Sequence, residues 1–171
     1  VFRALRAPSL VGRIIAVLGG FFGFYIAGYT GILLGLTNRP IWSPTPLLGM
    51  LFVTSAASTS AALLILLAQR GGWPRLPGLA DLHRFDDWVI VLELVVLIAV
   101  MVSLGPVLRA WLNTWGLLLV IGVIMLGLIA PLVLSFRARR GGIANTTTAA
   151  ILVLIGGFLL RVVVVLSSES I

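Results

Sequence analysis

The chain contains no cysteine and no lysine, and its only histidine is His83. Without cysteine it forms no disulfide, no thiolate metal site and no cysteine-ligated iron–sulfur cluster of its own. A haem held between two histidines is excluded as well, because a single histidine cannot supply both axial ligands. No Walker motif, dinucleotide fingerprint or catalytic triad occurs. If the chain handles electrons, it does so without a haem ligated by its own histidines.

Charged residues are also scarce, at 10% of the 171 residues, whereas hydrophobic residues make up 60% and the mean hydropathy is +1.20. A soluble domain of this size cannot bury so much apolar surface. A hydrocarbon core ~30 Å thick needs roughly 20 helical residues, and the apolar runs lack the alternation of a membrane β-barrel. The sequence therefore predicts an all-α integral membrane protein with five transmembrane helices: A from Val11 to Leu36, B from Pro46 to Ala68, C from Trp88 to Leu108, D from Leu112 to Phe136 and E from Thr146 to Leu166.

The arginines are divided unequally between the two sides that this topology defines. Basic residues collect on the cytoplasmic side of membrane proteins, so we expect helix A to start in the cytoplasm and the C-terminus to emerge outside. Tryptophans near the predicted helix ends are typical of interfacial anchors. The nine arginines of the expected inner side are Arg3, Arg6, Arg13, Arg70, Arg75, Arg84, Arg137, Arg139 and Arg140; the other three are Arg39, Arg109 and Arg161; the tryptophans are Trp42, Trp73, Trp88, Trp111 and Trp115.

Helix A has two different faces. Small residues recur every four positions and predict a ridge that another helix can approach closely. Aromatic residues lie roughly opposite, and Tyr29 among them falls in the outer third of the membrane, about 24 Å from Arg13. Tyr29 is either a member of the interfacial aromatic belt or a ligand contact. The small stripe is Gly19, Gly23, Ala27, Gly31 and Gly35, and the aromatic stripe is Phe22, Tyr25 and Tyr29.

Ionisable residues occur within two other predicted helices. Asp86 and Glu93 lie two turns apart on one face of helix C, with Glu93 about 10 Å deeper. An acid inside a membrane usually faces the bundle interior or a water-filled cavity, so Glu93 is either part of a proton path with Asp86 or a protonated acid bonded to a neighbouring helix. Arg161 on helix E is expected in the outer third, where its side chain can extend to the interface. Their different depths argue against a direct Glu93–Arg161 ion pair.

Helix B carries a run of small and hydroxyl residues from Thr54 to Ala62. Such residues allow close helix contacts and bond backbone carbonyls. We interpret the run as a packing surface in preference to an ion site.

The order of these features resembles the C-terminal part of the NrfD/polysulfide-reductase family of membrane subunits. The resemblance covers essentially the whole chain. Its motifs are the helix end Gly28-Tyr29-Thr30-Gly31-Ile32-Leu33-Leu34-Gly35, the turn Asn38-Arg39-Pro40-Ile41-Trp42-Ser43, and the closing segment Leu154-Ile155-Gly156-Gly157-Phe158-Leu159-Leu160-Arg161-Val162-Val163-Val164-Val165.

The resemblance implies a multi-pass subunit of a bacterial or archaeal cytoplasmic membrane that reacts with a quinone or quinol, either menaquinone or ubiquinone. It implies docking to an iron–sulfur subunit, together with a molybdopterin or multihaem cytochrome subunit. Residues 1–45 would hold the last helix of a first four-helix bundle and its outer turn, and residues 46–171 a complete second bundle. Tyr29 would contribute to a quinone pocket near the outer face.

The family's other pocket residues lie on earlier helices that this sequence lacks. Because the chain also opens Val1-Phe2-Arg3 without methionine, we expect it to be part of a longer protein or to be completed by a companion chain. Two other readings stay open: a non-redox transporter or channel fragment that uses Glu93 and Arg161 as coupling charges, and a pure membrane anchor for a redox complex.

Overall fold

The computed structural model describes residues 10–37, 45–71, 78–111, 113–141 and 143–167, and these ranges contain helices and turns without a strand. Five helices are long and apolar enough to cross a membrane, which confirms the prediction of an all-α membrane protein. They are α1 (Leu10–Gly35), α2 (Leu47–Arg70), α3 (Leu79–Leu104), α4, composed of Thr114–Leu117, Leu118–Ile129 and Ala130–Gly141, and α5 (Ile143–Leu166).

The third helix differs most from its predicted bounds, because it begins at Leu79 and not at Trp88. The charged residues before Trp88 suggested a loop, but Asp86 and Asp87 are buried on the inner face of the helix. The helix ends at Leu104, since Gly105 adopts a φ of +50° that glycine tolerates best. A short 3₁₀ segment, Gly105–Trp111, follows.

The fourth helix is not a regular α-helix, which the sequence did not predict. Its middle, Leu118–Ile129, is a π-helix, and the N–H of Ala130 donates to the carbonyl oxygen of Met125, five residues earlier. Pro131 comes next; proline lacks an N–H, and in an α-helix its ring clashes with the carbonyl four residues before it. The wider π turns therefore come directly before Pro131, which cannot donate the next backbone hydrogen bond of a regular helix.

Helices α2 to α5 pack around a core of buried aliphatic side chains that includes Leu51, Ile65, Leu97, Val123 and Val153. A hydrogen bond from Thr147 to Gln69 joins the end of α2 to the start of α5, so these two helices are antiparallel. Helix α1 packs against α2 and leaves most of its large apolar side chains exposed.

Two glycine pairs allow helices to approach each other closely. A Cβ placed on Gly31 would overlap the backbone of Gly49 on α2, and one on Gly127 would lie 2.6 Å from the Cα atom of Gly156. By contrast, a Cβ on Gly19 or Gly23 would meet nothing within 4 Å. The small stripe predicted on α1 is therefore in tight contact with α2 only toward its Gly35 end.

The topology places four exposed arginines at one end of the helices: Arg13 at the start of α1, Arg70 at the end of α2, Arg84 near the start of α3 and Arg137 near the end of α4. We call this the arginine-rich end; the other is the opposite end. Several sequence features lie outside the described residues, namely Arg3, Arg6, Arg39, Arg75, Trp42, Trp73 and the turn from Asn38 to Ser43.

Candidate functional site

A buried carboxylate is held between two helices of the bundle. Ser58 on α2 donates a hydrogen bond of 2.5 Å from its Oγ to Oε2 of Glu93 on α3. Both residues are almost fully buried, with exposures of 1% and 2%. Ser55, one turn along α2, is also fully buried. A carboxyl group removed from water needs a hydrogen-bond partner, and Ser58 supplies one.

Arg161 on α5 joins the same group of residues. Its guanidinium Nη1 lies 3.5 Å from Oγ of Ser55 and donates to the carbonyl oxygen of Gly157 at 2.7 Å. The Cζ atom is 6.0 Å from the centre of the Phe52 ring, within the range of a cation–π contact. We call Ser55, Ser58, Glu93 and Arg161 the polar cluster. It connects α2, α3 and α5.

The polar cluster bears on two predictions: the relative depths of Glu93 and Arg161, and the direction of the Arg161 side chain. Because α3 begins at Leu79 and α5 at Ile143, Glu93 lies about 21 Å along α3 and Arg161 about 27 Å along α5, and the Arg161 side chain bends back one turn toward the level of Glu93. No direct ion pair joins Glu93 to Arg161 among the described residues; Ser58 contacts Glu93 and Ser55, one turn away on α2, contacts Arg161. The Arg161 side chain bends back toward Gly157, away from the opposite end, so extension to the outer interface is not what the structure shows.

Asp86 lies on the same buried face of α3 as Glu93, two turns nearer the arginine-rich end, as the seven-residue spacing predicted. It is 5% exposed, and its Oδ1 atom has no hydrogen-bond partner in the described part of the chain. Asp87 beside it is also buried. The rise of α3 separates Asp86 from Glu93 by about 10 Å, which is too far for a direct hydrogen bond between the carboxyl groups. An orphan oxygen of this kind usually bonds an internal water.

Tyr29 is apart from the polar cluster. Its ring stacks on that of Tyr25, one turn away on α1, with centroids 6.2 Å apart and planes at 11°. Both side chains are exposed, at 49% and 62%. Neither of two surface clefts in the described residues, one between α1, α2 and α3 (about 370 Å³) and one beside the start of α4 (about 580 Å³), is lined by Tyr29. The phenol pair is therefore exposed on the surface of α1 in the described part of the chain.

The sequence did not identify Ser55 and Ser58 as partners of ionisable residues, because the hydroxyl run of α2 was interpreted as packing. Most of the run does bond its own helix; Thr54, Thr59 and Ser60 each donate to α2 carbonyls. The usable signal was the three-residue spacing of the two buried serines, which places them on one face. In the described ranges, no three His, Cys, Asp or Glu residues meet as a metal-ligand set.

The comparisons with known proteins agree with the helical architecture. A family model described as "Polysulphide reductase, NrfD" matches residues 3–171. Neither the curated proteins nor the solved structures gave a match.

Proposed function

The chain belongs to the NrfD polysulphide reductase family, and on that premise we propose that it is the quinone-reactive membrane subunit of a respiratory oxidoreductase. The observation that carries this proposal is the match itself, which extends over residues 3–171. An assembly of five membrane-length helices suits a lipid-soluble substrate, because such a molecule reaches its site through the bilayer.

The quinone contact that we propose is Tyr29. Its phenol can donate a hydrogen bond to a quinone carbonyl, and the low dielectric of the membrane strengthens that bond. The stacked ring of Tyr25 offers an aromatic face beside it. Because both rings are exposed on α1, the opposite wall of the pocket would come from further helices of the same protein or from a companion chain. In this arrangement α1 is the last helix of a first bundle, and residues 46–171 form the second.

Electrons would leave or enter through a partner. Oxidation of a quinol releases electrons and protons together, and we propose that an iron–sulfur subunit exchanges the electrons. A molybdopterin or multihaem cytochrome subunit would hold the terminal chemistry. The part played by this chain is to bind the quinone and to fix the orientation of its headgroup.

Protons are the second part of the proposal. Asp86 and Glu93 share the buried face of α3, and the polar cluster surrounds the deeper of the two. Acids inside a membrane bundle face its interior and can belong to ion or proton pathways. We propose that this pair takes part in proton transfer linked to quinone turnover.

The polar cluster also favours one alternative, an ion-coupled transporter without redox chemistry. A transporter would move its substrate in the absence of quinol or of any electron acceptor. The two proposals therefore differ in whether transport or electron transfer is the primary event.

Purification from native membranes would test the redox proposal. The copurifying polypeptides are identified by mass spectrometry, iron–sulfur signals are measured by electron paramagnetic resonance, and quinol oxidation is assayed with an artificial acceptor. We expect a cluster-bearing partner and quinol-dependent electron transfer. A homogeneous preparation without such a partner and without quinone-linked turnover would contradict the redox proposal. The remaining functions would then be an ion-coupled transporter or a pure membrane anchor.

A further inference from the structure

Helices α1 and α2 separate toward the arginine-rich end. A Cβ on Gly31 would overlap the backbone of Gly49 on α2, so the two helices touch there. Gly20 precedes Gly31 by eleven residues, about three turns, and therefore lies on the same face of α1. A Cβ on Gly20 would nevertheless meet nothing within 4 Å. Space therefore opens between the two helices in the half of the bundle nearer the arginines.

This space is a cleft of about 370 Å³ between α1, α2 and α3. Small residues of α1 and α2 form two of its walls, and Leu82 and Phe85 of α3 contribute to the third. Among the described residues that line it, Ser60 alone has a polar side chain. The Ser60 hydroxyl donates to the Ala56 carbonyl of its own helix at 2.6 Å. The interior of the cleft therefore offers a ligand an apolar surface.

The length of the cleft matches one leaflet of a bilayer. Its lining on α2 extends from Ala56 to Leu64, a rise of about 12 Å. Half of a hydrocarbon core of ~30 Å is about 15 Å. A lipid acyl chain occupies this part of the membrane, so the cleft can take such a chain from the surrounding lipid.

Two other occupants fit the cleft less well. A quinone headgroup needs polar groups that fix its carbonyl oxygens, and the Ser60 hydroxyl is already directed to Ala56. A further helix, with its side chains, is about 10–12 Å across. A space of about 370 Å³ has the size of a small-molecule site instead.

Positive charge surrounds the arginine-rich end of the cleft. Each of its three helices has an exposed arginine at this end, namely Arg13 of α1, Arg70 of α2 and Arg84 of α3. Arg13 lies seven residues before Gly20, two turns, and so on the same face of α1. Asp81 is the one exposed acid in the described part of the chain. A ligand whose apolar part enters the cleft thus meets a net positive charge with its polar part.

From the apolar interior and the basic surroundings we propose that the cleft binds an anionic phospholipid, with one acyl chain between α1 and α2 and the phosphate at Arg13. Basic pockets between transmembrane helices bind anionic lipid headgroups, and a guanidinium group matches the geometry of a phosphate. The lipid would fill the gap beside Gly20 and hold α1 against the other helices. This inference does not depend on the quinone reaction proposed above.

The test uses the purified intact complex in vesicles of phosphatidylcholine that contain a small fraction of a photoreactive lipid. The probe is phosphatidylglycerol with a diazirine on one acyl chain. Light releases N₂ from the diazirine, and the resulting carbene inserts into a neighbouring C–H bond of the protein. Mass spectrometry of peptides locates the adduct. Phosphatidylcholine with the same diazirine chain is the matched probe without net charge.

We expect the phosphatidylglycerol probe to label residues of the cleft several times more than the phosphatidylcholine probe does. Arg13→Gln should lower this labelling about fivefold, the contribution of one arginine near an anionic surface. Arg109→Gln, at an exposed arginine of the opposite end, should leave it unchanged.

A second pair of variants tests the cleft itself. Gly23→Phe places a ring in the cleft, where a Cβ would meet nothing within 4 Å, and should remove labelling there by both probes. Ile26→Phe, at an exposed position of α1 outside the cleft, should not. The subunit composition of each variant is checked before labelling.

Equal labelling by the two probes, or labelling by phosphatidylglycerol that Arg13→Gln does not lower, would overturn the anionic lipid. Displacement of the adduct by a short-chain quinone would overturn it too and assign the cleft to a quinone. Absence of adducts in the cleft with either probe would show that another segment of polypeptide covers it.

Discussion

The guanidinium of Arg161 donates its hydrogen bond to the carbonyl oxygen of Gly157, one turn nearer the arginine-rich end of the same helix, at 2.7 Å. This bond directs a cation inward, toward the middle of the membrane. The absence of a side chain at residue 157 lets α5 approach α2 closely, because a Cβ there would overlap Cγ2 of Thr59.

The first prediction concerns this glycine. Gly157→Ala should destabilise the bundle by about 1–3 kcal/mol, since α2 and α5 must separate to admit the methyl group. Thermal or detergent unfolding of the purified complex measures the change. Gly20→Ala is the matched control, because a Cβ at that position meets nothing within 4 Å. Equal stability of the two variants would contradict the close α2–α5 contact.

The second prediction concerns the hydrogen bond between Ser58 and Glu93. Ser58→Ala removes a donor from a buried carboxyl group and should lower the free energy of unfolding by about 1–3 kcal/mol. Ser60→Ala provides the comparison, because Ser60 is exposed and bonds only the Ala56 carbonyl of its own helix; its effect should stay within about 0.5 kcal/mol. A Ser58 variant as stable as the Ser60 variant would show that the 2.5 Å contact contributes nothing.

The third prediction is that Glu93 and Arg161 are energetically coupled. Glu93 is buried and Arg161 is half-buried, and the two side chains are joined through the contacts of Ser58 and Ser55 on α2. Glu93→Gln combined with Arg161→Gln should therefore destabilise the protein less than the sum of the single variants, with a coupling of about 0.5–3 kcal/mol. A double-mutant cycle on unfolding free energies gives this value, and strict additivity would argue that Ser55 does not link the two residues.

The fourth prediction concerns Tyr29. Tyr29→Phe keeps the ring but removes the hydroxyl, and the loss of one neutral hydrogen bond of about 0.5–1.5 kcal/mol corresponds to roughly a two- to tenfold lower kcat/KM for quinol. Phe21→Leu, on the same helix, should leave quinol turnover unchanged. Subunit composition is checked in both variants, and full turnover in an intact Tyr29→Phe complex would remove this residue from the quinone site.

The fifth prediction concerns orientation. Because the chain contains no cysteine, single cysteines give an unambiguous accessibility signal. Asp81→Cys, at the arginine-rich end, should react with a membrane-impermeant maleimide only from the cytoplasmic side, as the arginine distribution predicts. Thr37→Cys, at the opposite end, should react only from outside. The reverse pattern would invert the predicted topology.

Composition and apolar run length were sufficient to predict five spans, because a helix must satisfy its own backbone hydrogen bonds in lipid and its length is set by the bilayer. The bounds of α1, α2 and α5 are close to those predicted for this reason. The predicted start of α3 was too late, because charged residues are usually exposed and therefore suggested a loop before Trp88. Asp86 is buried by neighbouring helices, and the order of residues in the sequence does not show which helices are neighbours.

The sequence by itself determined the membrane class, the number of helices, the shared face of Asp86 and Glu93, and the motifs of the NrfD family. Only the tertiary structure decided that Ser58 bonds Glu93, that Arg161 bends inward onto Gly157, and that a cleft opens between α1, α2 and α3. The physical reason is that burial, hydrogen-bond partners and side-chain direction depend on which helices are in contact. Residues far apart in the chain, such as Ser55 and Arg161, become neighbours only when the helices pack.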